Sequence, residues 1–96
     1  MIRITLGSVE NVVVDVTDQT NAITALPGAT TYDLVRNSDG VKVASNLAAT
    51  NISGMRCECR INTGTPGFQV GRYTLFVRFP TLTEVPVLRV GDIEVN

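Results

Sequence analysis

Ninety-six residues suffice for one domain with a single hydrophobic core and are too few for two, so residues 1–96 are read as one unit. Apolar residues make up 44% but aromatics only 5%, with no Trp, which leaves Val, Ile, Leu and Ala to fill the core and, with abundant Thr, favours strands. Eight basic and nine acidic residues give a formal charge of −1 without a run of either sign, which argues against nucleic acid or an anionic membrane as a partner.

The first segment, Ile2-Arg3-Ile4-Thr5-Leu6, alternates with Ile2, Ile4 and Leu6 inward, and Gly7 allows a bend. It lacks the basic start and apolar run of a signal peptide, and no stretch reaches the roughly 18 apolar residues of a spanning helix. The expectation is a chain kept in the cytosol unless something carries it elsewhere. Val12, Val14 and Val16 share the next inward row with Asp15 opposed, as a second strand or the continuation of the first. Asp18 to Asn21 form a turn cluster, and Ala22 to Leu26 are compatible with a helical turn before Pro27-Gly28. Thr31 to Arg36 read as a strand with Tyr32 and Leu34 on one face. Asp39-Gly40 then signals a hairpin that returns through Val41-Lys42-Val43.

From Ala44 to Gly54 the chain is small and polar, anchored by Leu47 and Ile52. Asn51-Ile52-Ser53 matches a glycosylation sequon, a pattern frequent by chance. Met55 to Ile61 is the organising strand, with Met55, Cys57, Cys59 and Ile61 on a dry face and Arg56, Glu58 and Arg60 on a wet one. After the breaks at Gly64, Pro66 and Gly67, Gly71 to Phe79 carry an inward row of Tyr73, Leu75, Val77 and Phe79. Phe76 lies on the opposite face, where it packs on a loop or belongs to an interface. Pro80 ends that strand and Thr81 to Glu84 turn. Val85 to Val90, with Pro86 unable to donate a ladder bond, belong at an edge or a strand start. Gly91-Asp92 kink the chain before the last strand, Ile93 to Val95. This makes an all-β antiparallel sandwich of seven to eight short strands.

Cys57 and Cys59 are next-but-one on a strand, with Cα atoms about 6.5–7 Å apart, at or beyond the limit for an unstrained bridge. The chain has no His, so zinc ligation lacks its usual partners, and the two are read as buried reduced thiols. The missing His also removes the commonest general base, and alternation turns Arg56 and Arg60 away from the thiols, so no catalytic residue is assigned. Asp15, Asp18, Asn21 and Asp39 could offer oxygen ligands to calcium, but turns favour Asp and Asn for their own hydrogen bonds. Hence no metal or cofactor is expected. The row Arg56, Glu58 and Arg60 suits cross-strand charge pairing on a solvent face. Tyr73, just after a Gly-rich loop, suits the tyrosine corner of immunoglobulin-like sandwiches, a structural role like that of Cys57 and Cys59.

The order of segments resembles the immunoglobulin-like domains of tailed-bacteriophage virion proteins, including the N-terminal domains of baseplate upper proteins. The matching pieces are Val12 to Val16, Ala22 to Leu26, Tyr32 to Gly40, Gly54 to Ile61, Gly71 to Phe79 and Ile93 to Val95. The link before Pro27 lacks the usual Asp-Leu pair, and Cys57 and Cys59 on the central strand also depart from the pattern. The resemblance implies an immunoglobulin-like fold and a non-enzymatic virion module of the tail, neck, baseplate or capsid surface, assembled in the host cytoplasm. Its partners would be other virion structural proteins or further copies of itself. Arg56, Glu58, Arg60, Phe76, Val85 and Val87 are the candidate contact residues. The rival is a carbohydrate- or cell-surface-binding sandwich, which would use exposed Trp or Tyr to stack on sugars; here both Tyr32 and Tyr73 fall on inward rows.

Overall fold

The computed structural model describes residues 2–16, 25–79 and 87–96. They form eight strands: β1 (Ile2–Ile4), β2 (Val9–Asp15), β3 (Thr31–Arg36), β4 (Lys42–Ala48), β5 (Thr50–Ser53), β6 (Arg56–Asn62), β7 (Gly71–Arg78) and β8 (Val87–Val95). One sheet has the order β1-β8-β7-β3-β4 and the other β2-β6-β5. In immunoglobulin lettering β2-β6-β5 is B-E-D, β3-β7-β8 is C-F-G, and β4 extends the second sheet as C′, so the sandwich is immunoglobulin-like.

The core lies where the alternating rows of the two sheets meet. Val12, Val14, Cys57, Cys59 and Ile61 come from the three-stranded sheet, while Leu34, Tyr73, Leu75, Val77 and Ile93 come from the five-stranded one, all buried. In register, Leu75 of β7 stands beside Leu34, and Tyr73 beside Ile93. Val, Ile and Tyr on these inner rows suit a pleated surface, with Leu34, Leu75, Cys57 and Cys59 filling the spaces between them.

The connections carry most of the departures from the sequence-based reading. The sandwich is antiparallel except that β1 runs parallel to β8, pairing Ile2 with Ile93 and Ile4 with Val95. Because β1 is a short rim strand, only Ile4 reaches between the sheets, whereas Ile2 and Leu6 are exposed rather than inward. β1 and β2 are two strands in different sheets, joined by a turn where Gly7 has φ +91°. Buried Thr63 latches that turn, its hydroxyl lying 2.9 Å from the Thr5 carbonyl and 3.0 Å from that of Ser8.

The hairpin forms at Asn37–Gly40, with Gly40 at φ +72°, a value that costs glycine little. Arg36 closes it through Asp39, Nη2 to Oδ2 at 2.6 Å. The small, polar stretch after it is extended. It continues β4, crosses to the other sheet at buried Ala49 and forms β5. Leu47 is no anchor, being 44% exposed on an edge strand, while Ile52 does pack against the core. β8 passes through Gly91-Asp92 as one strand. Leu75 pairs with Gly91 and Phe76 with Arg89, so Val90 is the extra residue of a bulge that absorbs the expected kink. The helical turn read over Ala22–Leu26, apart from its last two residues, the strand end at Pro80 and the turn from Thr81 to Glu84 lie outside the described residues.

Candidate functional site

The charged row on β6 is positioned by the centre of the three-stranded sheet. Arg56, Glu58 and Arg60 stand on its outer face, while Cys57 and Cys59 point into the core. The ladder to β2 is regular over all seven pairs, with Asp15 opposite Arg56, Val13 opposite Glu58, Asn11 opposite Arg60 and Val9 opposite Asn62. Arg56 Nε donates to Asp15 Oδ1 at 2.8 Å, the cross-strand pairing read from the sequence, and this bond holds the Asp15 carboxyl below its ordinary range. Asn51, the sequon residue, donates from its side-chain amide to Glu58 Oε2 at 2.8 Å. The Arg60 carbonyl accepts the Tyr32 hydroxyl, which ties the inner faces of the two sheets together. Beside the charged row Val13 is 54% exposed and Val9 46%, on the same face with Asn11 between them.

The other candidates lie on the opposite side of the sandwich. Phe76 sits on the outer face of β7, half-buried, in register with Asp33 on β3 and Arg89 on β8. Val87 opens β8 and is exposed; its pair is Arg78. β1 covers β8 only from Ile93 to Val95, so among the described residues Val87 to Val90 have a neighbour on one side alone. Val85 lies outside the described residues. The structure thus splits the candidates into two surfaces and brings the Arg56 row together with neither Phe76 nor Val87.

Next to Phe76 is a group the alternation did not reveal. Asp33 should face water, yet it is 2% exposed. Arg78 Nη2 reaches its Oδ2 at 3.0 Å, Lys42 Nζ lies at 3.5 Å, and the backbone N–H of Asn46 donates to its Oδ1 at 2.7 Å. The last bond holds the irregular part of β4, where Asn46 has φ +54°. The signal was absent locally because Arg78 is 45 residues away in sequence.

Tyr73 forms the expected corner. Its hydroxyl accepts from the Gln69 N–H at 2.8 Å and donates to the Gln69 carbonyl at 2.9 Å. Both Tyr rings are buried. The cysteines are free and buried, and burial pushes both thiols up, Cys59 furthest, so they stay protonated and weakly nucleophilic at neutral pH. Of the proposed calcium oxygens, Asp15 and Asp39 are each held by an arginine, while Asp18 and Asn21 lie outside the described residues. A cavity of about 440 Å³ opens between β4 and β6, lined mainly by Tyr32, Leu34, Val43, Leu47, Ile61 and Phe68. Its apolar walls can accept an apolar group, and Ser45, Arg60, Asn62 and Thr65 also border it. No protein-family model, curated protein or solved structure matches the chain.

Proposed function

We propose that this domain is a structural assembly module of a tailed-bacteriophage virion, on the tail, neck, baseplate or capsid surface, working through protein–protein contacts without turnover. The observation that carries this reading is the outer face of the three-stranded sheet. There Arg56, Glu58 and Arg60 project from a strand laddered on both sides, beside exposed Val9 and Val13. A charged row on a rigid backing with two exposed valines beside it offers register and specificity more than catalysis. The immunoglobulin-like strand order agrees with the layout that suggested the virion family. The partners are other virion proteins or further copies, and the domain would join the particle in the host cytoplasm.

The test is mass spectrometry and immunogold labelling of purified particles carrying the tagged chain. The expected result is a fixed copy number per particle, reduced when Arg56→Ala and Arg60→Ala are combined. Absence of the chain from purified particles overturns the reading.

A further inference from the structure

On the wet face of β6 the charges alternate, Arg56, Glu58, Arg60, but they are not equally satisfied. Arg56 is bound by Asp15. Glu58 is met by an uncharged amide, and among the described residues neither Glu58 nor Arg60 has an ion-pair partner. The two stand two residues apart on one strand, about 6.5–7 Å between Cα atoms. A two-fold axis lying across the strand at the level of Cys59 exchanges them, so that a second copy stacked on this face sets its Glu58 over Arg60 and its Arg60 over Glu58. The β2 register fixes what happens alongside: Asn11 is level with Arg60 and Val13 with Glu58. The same axis therefore lays Val13 of one copy over Asn11 of the other, with Val9 of the second copy adjacent.

We propose that the outer face of the three-stranded sheet is a two-fold interface between two copies of this chain, in which Arg60 of each copy pairs with Glu58 of the other beside Val13. This rests on the reading of that face as the domain's contact surface and names its partner. The charge pattern is self-complementary, as an isologous contact requires. β2 and β6, seven residues each, and β5, four, with strands about 4.8 Å apart and residues about 3.4 Å long, make a face of roughly 290 Å², or ~590 Å² for the pair. That places the dimer in the weak class, below about 1,200 Å². Such a contact is populated where copies are held close together, as on a repeating particle, by the effective-concentration effect.

The experiment is sedimentation equilibrium of the full chain up to about 2 mM, a concentration that reveals contacts of millimolar affinity, with circular dichroism reporting the fold. The wild type is expected to dimerise, less so at high salt. Arg60→Glu alone places carboxylates over carboxylates, and Glu58→Arg alone places guanidinium groups over one another. Each is expected to weaken self-association at least about tenfold. Mixing the two variants restores both ion pairs in a heterodimer, which misfolding of either chain cannot mimic. A wild type that remains monomeric throughout, or single variants that dimerise as well as the wild type, overturns the proposal. A monomer that is nevertheless incorporated into particles overturns self-association alone. A dimer whose chain is absent from particles overturns the virion reading alone.

Discussion

β6 and β7 are the central strands of their respective sheets and carry the same period-two pattern, yet their outer faces differ. On β6 the outer residues Arg56 and Arg60 are exposed and Glu58 is half-exposed. On β7 Thr74 is buried and Phe76 and Arg78 half-buried, and the facing Asp33 of β3 is almost wholly covered. The cause is sheet width. β6 is flanked only by β2 and short β5, whereas β7 lies between β3 and β8 inside a five-stranded sheet whose outer side chains cross-link over it. Arg78 spans to Asp33 and Asn46, and Thr74 donates to Asn37 Oδ1 at 2.8 Å. A wide sheet thus makes its outer face into a second, polar layer of structure, while the narrow sheet leaves its outer face available for contact.

The comparison can be broken most forcefully through the shared inner layer. Phe79→Ala removes a fully buried ring and is expected to cost about 3–5 kcal/mol, read as a lowered urea midpoint. Asp33→Ala separates the two outer faces. It leaves the Asn46 N–H without its acceptor and the Arg78 guanidinium with only the Asn46 side chain, and a loss of about 2–3 kcal/mol is expected, with Asp33→Asn keeping part of it. If Asp33→Ala is neutral in urea unfolding, the outer face of the wide sheet is ordinary solvated surface. Tyr73→Phe removes the corner bonds to Gln69 and is expected to cost about 1 kcal/mol, with local deprotection of the 64–70 loop in hydrogen exchange.

Acid and alkali act on different layers. The carboxyls of Asp15, Asp39 and Asp92 are lowered from 3.8, chiefly by hydrogen bonds from Arg56, Arg36 and Arg89 respectively. Depressed folded values contribute stability above the unfolded value, lost as pH falls through the folded one. The melting temperature should therefore hold from neutrality to about pH 5 and decline below pH 4. Burial raises Tyr32 from 10.0 and Cys57 and Cys59 from 9.0. Raised values contribute stability that is intact below the unfolded values and lost with rising pH, so a second decline should begin above about pH 9. A thiol reagent at pH 8 should accordingly label the cysteines only at the rate of opening. The smallest effect belongs to the narrow sheet: Asp15→Asn should lower the neutral-pH melting temperature only slightly, because both members of its pair are exposed, and should shrink the acid decline by that same small amount.

Several features were legible in the residues. The dry and wet faces of β6, the inward row of β7, the Tyr73 corner and the free thiols all follow from alternation or from a local turn. The charged row of the candidate site was legible for the same reason. What escaped depended on distant partners. Asp33 looks like any wet-face residue between Tyr32 and Leu34 until Arg78 and Asn46 are brought beside it. The polar stretch from Ala44 to Gly54 gives little sign of strands because edge strands have few buried positions, so β4 and β5 carry almost no hydrophobic period. The exposed Ile2 and Leu6 belong to the same class, their alternation being genuine and their strand too short and peripheral to bury it.

By itself the sequence determined the local order of this protein: which residues of a strand share a face, where glycine permits a turn, and that the inner layer is mainly aliphatic. Those follow from backbone geometry, which acts over neighbouring residues. Only the tertiary structure decided which strands share a sheet, that β1 runs parallel to β8, and that the same alternation yields a covered polar layer on one side and an open charged row on the other. Burial of an outer face depends on how many strands flank it and on side chains tens of residues away, and no local pattern carries that information.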